Sequence, residues 1–118
     1  MILGIGKMVN DALDACALLK KEGIYATVID CRFVKPLDAD LITSYAQKLK
    51  KIITVEEHVR QGGFGSAVLE CLSDSELTGL HVHRIGIPDQ FVEHGSQSLL
   101  RKRYGIDADA IVNTAKKM

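Results

Sequence analysis

The chain has 118 residues, and its fifteen lysines and arginines balance its fifteen aspartates and glutamates, so it carries no net charge. That balance lacks the basic surplus of a nucleic-acid binder, and no apolar run approaches the roughly 20 residues of a bilayer-spanning helix. With 47% hydrophobic and 25% charged residues, the composition is that of one globular domain, which at this size buries about two thirds of its surface without disulfides or metal.

Ile2–Ile5 is a short apolar run broken by Gly6. From Met8 to Lys21 the period becomes helical, with Val9, Ala12, Leu13, Cys16 and Leu19 on one face. Asp11 and Asp14 lie toward its start and Lys20 and Lys21 at its end, as the helix dipole favours. Gly23 is its stop signal. Tyr25–Cys31 is rich in β-branched residues and predicts a strand. Arg32–Pro36 is a loop, because proline disfavours helix in the residue before it.

Asp38 predicts the cap of a second helix, with Leu41, Ile42, Tyr45, Ala46 and Leu49 inward. Ile52–Glu56 predicts the next strand. Gln61–Gly65 is a tight turn into a third helix that faces Phe64, Val68, Cys71 and Leu72 inward. His81–Ile87 is a fourth strand, followed by a loop from Pro88 to Gly95. Ser96 predicts the cap of a short helix stopped by Gly105. Asp107 predicts the cap of the last helix, with Ile111, Val112 and Ala115 on one side.

Strands that alternate with helices of 10 to 15 residues imply parallel pairing through right-handed crossovers. The expectation is one α/β domain over residues 1–118, a three-layer α/β/α sandwich on a mainly parallel sheet. Cys16, Cys31 and Cys71 are odd in number and form no C-x-x-C pair, which argues against zinc and thioredoxin-like chemistry. They read as buried small hydrophobes in a reducing, cytoplasmic setting.

Two glycine turns, Gly4-Ile-Gly6 and Gly62-Gly63-Phe64-Gly65, each precede a helix. Backbone N–H groups there suit phosphate, yet neither turn completes G-x-G-x-x-G: Val9 and Val68 stand at the third glycine positions. Close packing of helix on strand explains the glycines equally. Glu56, Glu57 and His58 end the third strand, where an open parallel sheet lines its ligand crevice. Neighbours on a strand point to opposite faces, so Glu56 and Glu57 are not expected to share a catalytic site. One of them is free to cap the next helix while the other faces a partner. His81 and His83 alternate on a strand without a third metal ligand. His94 lies in a strand-end loop with Phe91 but without a nucleophile nearby. The residues alone thus give no catalytic, cofactor or metal site.

Arg32-Phe-Val-Lys-Pro-Leu-Asp38, Thr54-Val-Glu-Glu57, Gly62-Gly-Phe-Gly-Ser-Ala-Val-Leu-Glu70, Arg84–Asp89 and Phe91-Val-Glu-His-Gly95 come in that order. Together they resemble the C-terminal domain of the 1-deoxy-D-xylulose-5-phosphate synthase family, over essentially the whole chain. The first segments are shared more widely, with transketolases and 2-oxo-acid dehydrogenase β subunits. The P-D-x-F-x-E-H-G segment points to the synthases.

The resemblance implies a parent transferase of isoprenoid-precursor biosynthesis that uses thiamine diphosphate and magnesium, both held by preceding domains. It implies no cofactor in this chain, which lacks the G-D-G…N diphosphate signature. It further implies packing against those domains and a homodimer. Met1 then reads as an added or internal start of an excised domain, and the four strands as order 2-1-3-4 of a five-stranded family sheet. The residues expected at an inter-domain or small-anion contact are Glu56, Glu57, His58, Gly62, Gly63, Gly65, Phe91 and His94. A free-standing anion-binding regulatory module is the alternative of another class.

Overall fold

The computed structural model describes residues 1–118. Its elements in chain order are β1 (Ile2–Gly4), α1 (Met8–Lys21), β2 (Val28–Asp30), α2 (Ala39–Leu49), β3 (Lys51–Val59), α3 (Phe64–Asp74), β4 (His81–Ile87), α4 (Gln97–Tyr104) and α5 (Ala108–Lys117). The four strands form one sheet in the order β2-β1-β3-β4, parallel at every pairing. The expected three-layer architecture and strand order therefore hold.

The layers follow from alternation along the strands. Ile2, Ile53, Val55 and Ile85 face α1 and α5, where they meet Met8, Ala12, Ala15, Leu19, Ile111 and Val112. Leu3, Ile29 and Ile52 face α2 and α3, where they meet Ile42, Ala46, Phe64, Val68 and Leu72. Asp38 caps α2 by accepting from the Leu41 N–H at 3.0 Å, and Asp107 caps α5 by accepting from Ala110 at 2.9 Å. Gly105 ends α4 at φ 64°, a left-handed conformation that glycine takes without strain.

Several local expectations need correction. The strand expected over Tyr25–Cys31 is only Val28–Asp30, because its sole partner β1 offers just three residues. The third strand instead outruns Ile52–Glu56 and reaches Val59, since β4 continues beside it as far as the Val59–Ile87 pair. An irregularity between Val55 and Val59 leaves Glu57 and His58 exposed.

The buried face of α1 is Met8, Ala12, Ala15 and Leu19, with Leu13 53% exposed and Val9 and Cys16 only half-buried. Ala12 and Ala15 let α1 approach α5 closely, which turns Leu13 outward. Leu41 and Leu49 stay exposed on α2, which packs chiefly against β3 and α3. Ser96 stands at the N-cap of α4 but makes no side-chain cap bond. The three cysteines are free and half-buried rather than fully buried. Burial and the nearby carboxylates of Asp30 and Asp38 push the Cys31 thiol up to about 11.

Leu19 and Leu13 distinguish the observed α1 face from the one expected by period. Leu19→Ala is expected to destabilise the chain by roughly 2–5 kcal/mol, and Leu13→Ala by less than about 0.5 kcal/mol. Urea unfolding of the two variants checks this, and equal losses would refute the assigned face.

Candidate functional site

The chain leaves β1 toward β2 on one side and reaches β3 and β4 on the other. This reversal opens a crevice at the carboxyl ends of β1 and β3. A cleft of about 460 Å³ lies there. The β1–α1 turn supplies Gly6 and Lys7, the β2–α2 loop Val34, the end of β3 Glu56, Glu57 and His58, and the next turn Gly62, Gly63 and Phe64. Both glycine turns thus meet in one cleft with three of the strand-end candidates.

Glu56 is 1% exposed. Its Oε2 accepts the Phe64 N–H at 2.7 Å and its Oε1 accepts the Gly65 N–H at 2.8 Å. A carboxylate at a helix start satisfies orphan amides and meets the positive end of the dipole. The glycines make room for it. A Cβ on Gly63 would overlap the Glu56 carboxylate and the Val59 carbonyl oxygen. One on Gly65 would come 2.6 Å from Thr54 Oγ1, and one on Gly86 3.0 Å from Glu56 Cγ. Of the group, only Gly62 needs a left-handed backbone, at φ 73°. The turn is tied further by Ser66, whose Oγ accepts from Gly62 N–H at 3.0 Å and donates to the Arg60 carbonyl at 2.9 Å.

Glu57 diverges from Glu56, as strand alternation requires. Its Oε1 accepts Arg101 Nε at 2.7 Å and also pairs with Nη2 of the same guanidinium. This ion pair fastens α4, which has no buried residue of its own, to the end of β3. Burial raises the Asp11 carboxyl despite the opposing charge of Arg101.

His94 and Phe91 do not join the cleft. They lie in the loop between β4 and α4, where Phe91 is wholly exposed and His94 is exposed. The loop is instead tied by Glu93, which accepts the Tyr104 hydroxyl at 2.5 Å and pairs with Arg103. These contacts hold the Glu93 carboxyl below its usual range, the Tyr104 hydrogen bond foremost. Sequence reading missed Glu93, Arg101 and Arg103 as the anchors, since contacts between a loop and a later helix leave no periodic signal. Phe33, 64% exposed, and Val34 add apolar surface to the same end of the sheet.

The cleft does not fit a diphosphate and its magnesium. Glu56 already fills the start of α3 with negative charge. No group of three or more His, Cys, Asp or Glu side chains is placed to hold a metal ion. His81 and His83 are both exposed on β4 without a third ligand.

Residues 1–111 match the family model of the transketolase C-terminal domain. The whole chain is 50% identical to 1-deoxy-D-xylulose-5-phosphate synthase 2 of Geobacter sulfurreducens, of which it covers 19%. It is 51% identical over 119 aligned residues to the synthase of Heliobacterium modesticaldum, which covers 99% of this chain and 18% of the relative. The chain thus spans about a fifth of the length of these curated relatives and matches their C-terminal part. A solved chain described as a split gene transketolase, inactive β4 tetramer, superposes with a TM-score of 0.90 at 36% identity, covering 98% of this chain and 37% of the other.

Alanine at Gly63 and at Gly65 tests how tightly the turn is built. Gly63→Ala is expected to cost roughly 3 kcal/mol and Gly65→Ala roughly 1–2 kcal/mol, because the first meets a backbone carbonyl and the second meets side chains that can shift. Denaturant melts give the order, and a Gly63→Ala midpoint equal to the parent's would contradict the close approach.

Proposed function

The chain belongs to the transketolase C-terminal domain family, and from that premise we propose that it serves as the third domain of a cytoplasmic, homodimeric 1-deoxy-D-xylulose-5-phosphate synthase. The parent enzyme would decarboxylate pyruvate and join the two-carbon unit to glyceraldehyde 3-phosphate, with thiamine diphosphate and magnesium held by its preceding domains. The observation that carries this reading is identity near 50% along the full chain to the C-terminal part of such synthases. The transketolase alternative rests on lower identity, 36%.

Within that enzyme the chain's residues pack and position; they do not react. Glu56 is committed to two backbone amides and Glu57 to Arg101, so neither carboxylate is available as a general acid or base. The strand-end rim is the proposed contact with the preceding domains. It combines the exposed apolar Phe33 and Phe91 with the polar His58 and His94, the mixed character of surfaces between domains of one chain. Gly62, Gly63 and Gly65 hold this rim in shape, and dimer contacts would extend from it.

Grafting tests the assignment. This chain, put in place of the C-terminal fifth of the Heliobacterium relative, is expected to support synthase activity. Phe91→Asp and His94→Ala are expected to lower that activity several-fold while changing the isolated chain's stability by less than about 0.5 kcal/mol. An inactive but folded graft, or rim variants that unfold the isolated chain, would overturn the reading.

A further inference from the structure

Beside the edge strand β4, away from the strand-end cleft, two arginines stand without a carboxylate partner. The four ion pairs of the chain use Arg32, Arg101, Arg103 and Lys116, which leaves Arg60 and Arg84 outside any ion pair. Arg60 follows β3, and its backbone N–H donates to the Ile87 carbonyl at 2.9 Å. Its stem runs over Gly86, where a Cβ would come 2.9 Å from Arg60 Cγ. Its Nε is buried and has no hydrogen-bond partner. Arg84 is held from behind, with Nη1 donating to the Arg60 carbonyl and to Ser66 Oγ, both at 2.9 Å.

The two arginines line a cavity of about 180 Å³ with His83, Gly86, Tyr104 and Thr114, and no acidic side chain takes part in its wall. Of the carboxylates beside this wall, Glu56 packs its Cγ near Gly86 but is committed to the Phe64 and Gly65 amides, and Glu93, on the Tyr104 hydroxyl, is paired with Arg103. A buried, charged donor without an acceptor is costly, and the chain as a whole has carboxylates enough to pair every cation. The cluster is therefore a local positive site in a neutral protein. Guanidinium groups present planar, always-charged donors that match tetrahedral oxyanions.

We propose that this cavity binds a small phosphate, either inorganic phosphate or the phosphate of a small phosphomonoester, with Arg60 as its charged donor and Thr114 and His83 at its rim, while Arg84, held on the α3 side by Ser66 and the Arg60 carbonyl, adds its charge from behind. The site is separate from the cleft between the glycine turns and independent of the parent enzyme's identity. It relocates the small-anion contact that the glycine turns suggested, because Glu56 already occupies the second of those turns.

The test is a titration of the isotopically labelled chain, followed by amide resonances, with inorganic phosphate, glycerol phosphate and acetate at matched ionic strength. The expected result is saturable shifts at Gly86, Gly105 and their neighbours with one or both phosphates. Arg60→Gln is expected to weaken that binding at least roughly tenfold and Arg60→Lys to weaken it less, as loss of a charge-assisted bond requires. Saturation by glycerol phosphate alone would identify the phosphomonoester as the ligand. Thr114→Val, which leaves the guanidinium groups intact, is expected to weaken binding without unfolding the chain and serves if the Arg60 variants fold poorly. Shifts centred on Gly6 and Lys7, equal binding of acetate, or no saturable shift with either phosphate would overturn the proposal.

Discussion

Two backbone N–H groups at the start of α3 end on the carboxylate of Glu56, and the rest of the strand-end surface is arranged around that contact. An ionised carboxylate with 1% exposure is costly to bury unless its oxygens are satisfied. Here each oxygen accepts one amide, and the helix dipole adds a favourable field. The contact in turn requires empty space. Gly63 and Gly86 leave room for the side chain on two sides, and Gly65 lets α3 settle onto Thr54 of β3. One charge thus fixes where two glycines must stand and how α3 meets the sheet.

The same contact fills the helix start that faces the cleft. A parallel sheet opens its crevice at a switch point, and in many such proteins the helix starts there receive an anionic ligand. In this chain the protein supplies the anion itself. Glu57 is likewise spent, on the arginine that fastens α4. What remains outward is apolar surface from Phe33 and Phe91 with a scatter of polar groups. The chain's match is to the C-terminal part of much longer synthases.

Much of this was legible in the residues, because the strong signals were local. Asp38 and Asp107 act as caps, Gly105 as a stop, and the alternation of strands and helices implied the order in which the strands lie. The geometry of adjacent strand residues already separated Glu56 from Glu57. Details set by tertiary partners were not legible. The length of β2 depends on the three residues of β1 beside it, and the face of α1 depends on α5, ninety residues further along the chain. Arg60, Arg84 and Glu93 take their roles from contacts across elements, for which the sequence carries no period or spacing.

Amide hydrogen exchange at Phe64 and Gly65 bears most directly on the buried carboxylate as organiser of this surface. Helix-start amides without a buried acceptor exchange early, whereas amides bonded inside the core open only with the global unfolding of the domain. Protection of both amides at the level of the slowest residues of β3 is the expected result. Exchange as fast as that of the exposed turn at Gln61 and Gly62 would contradict the account.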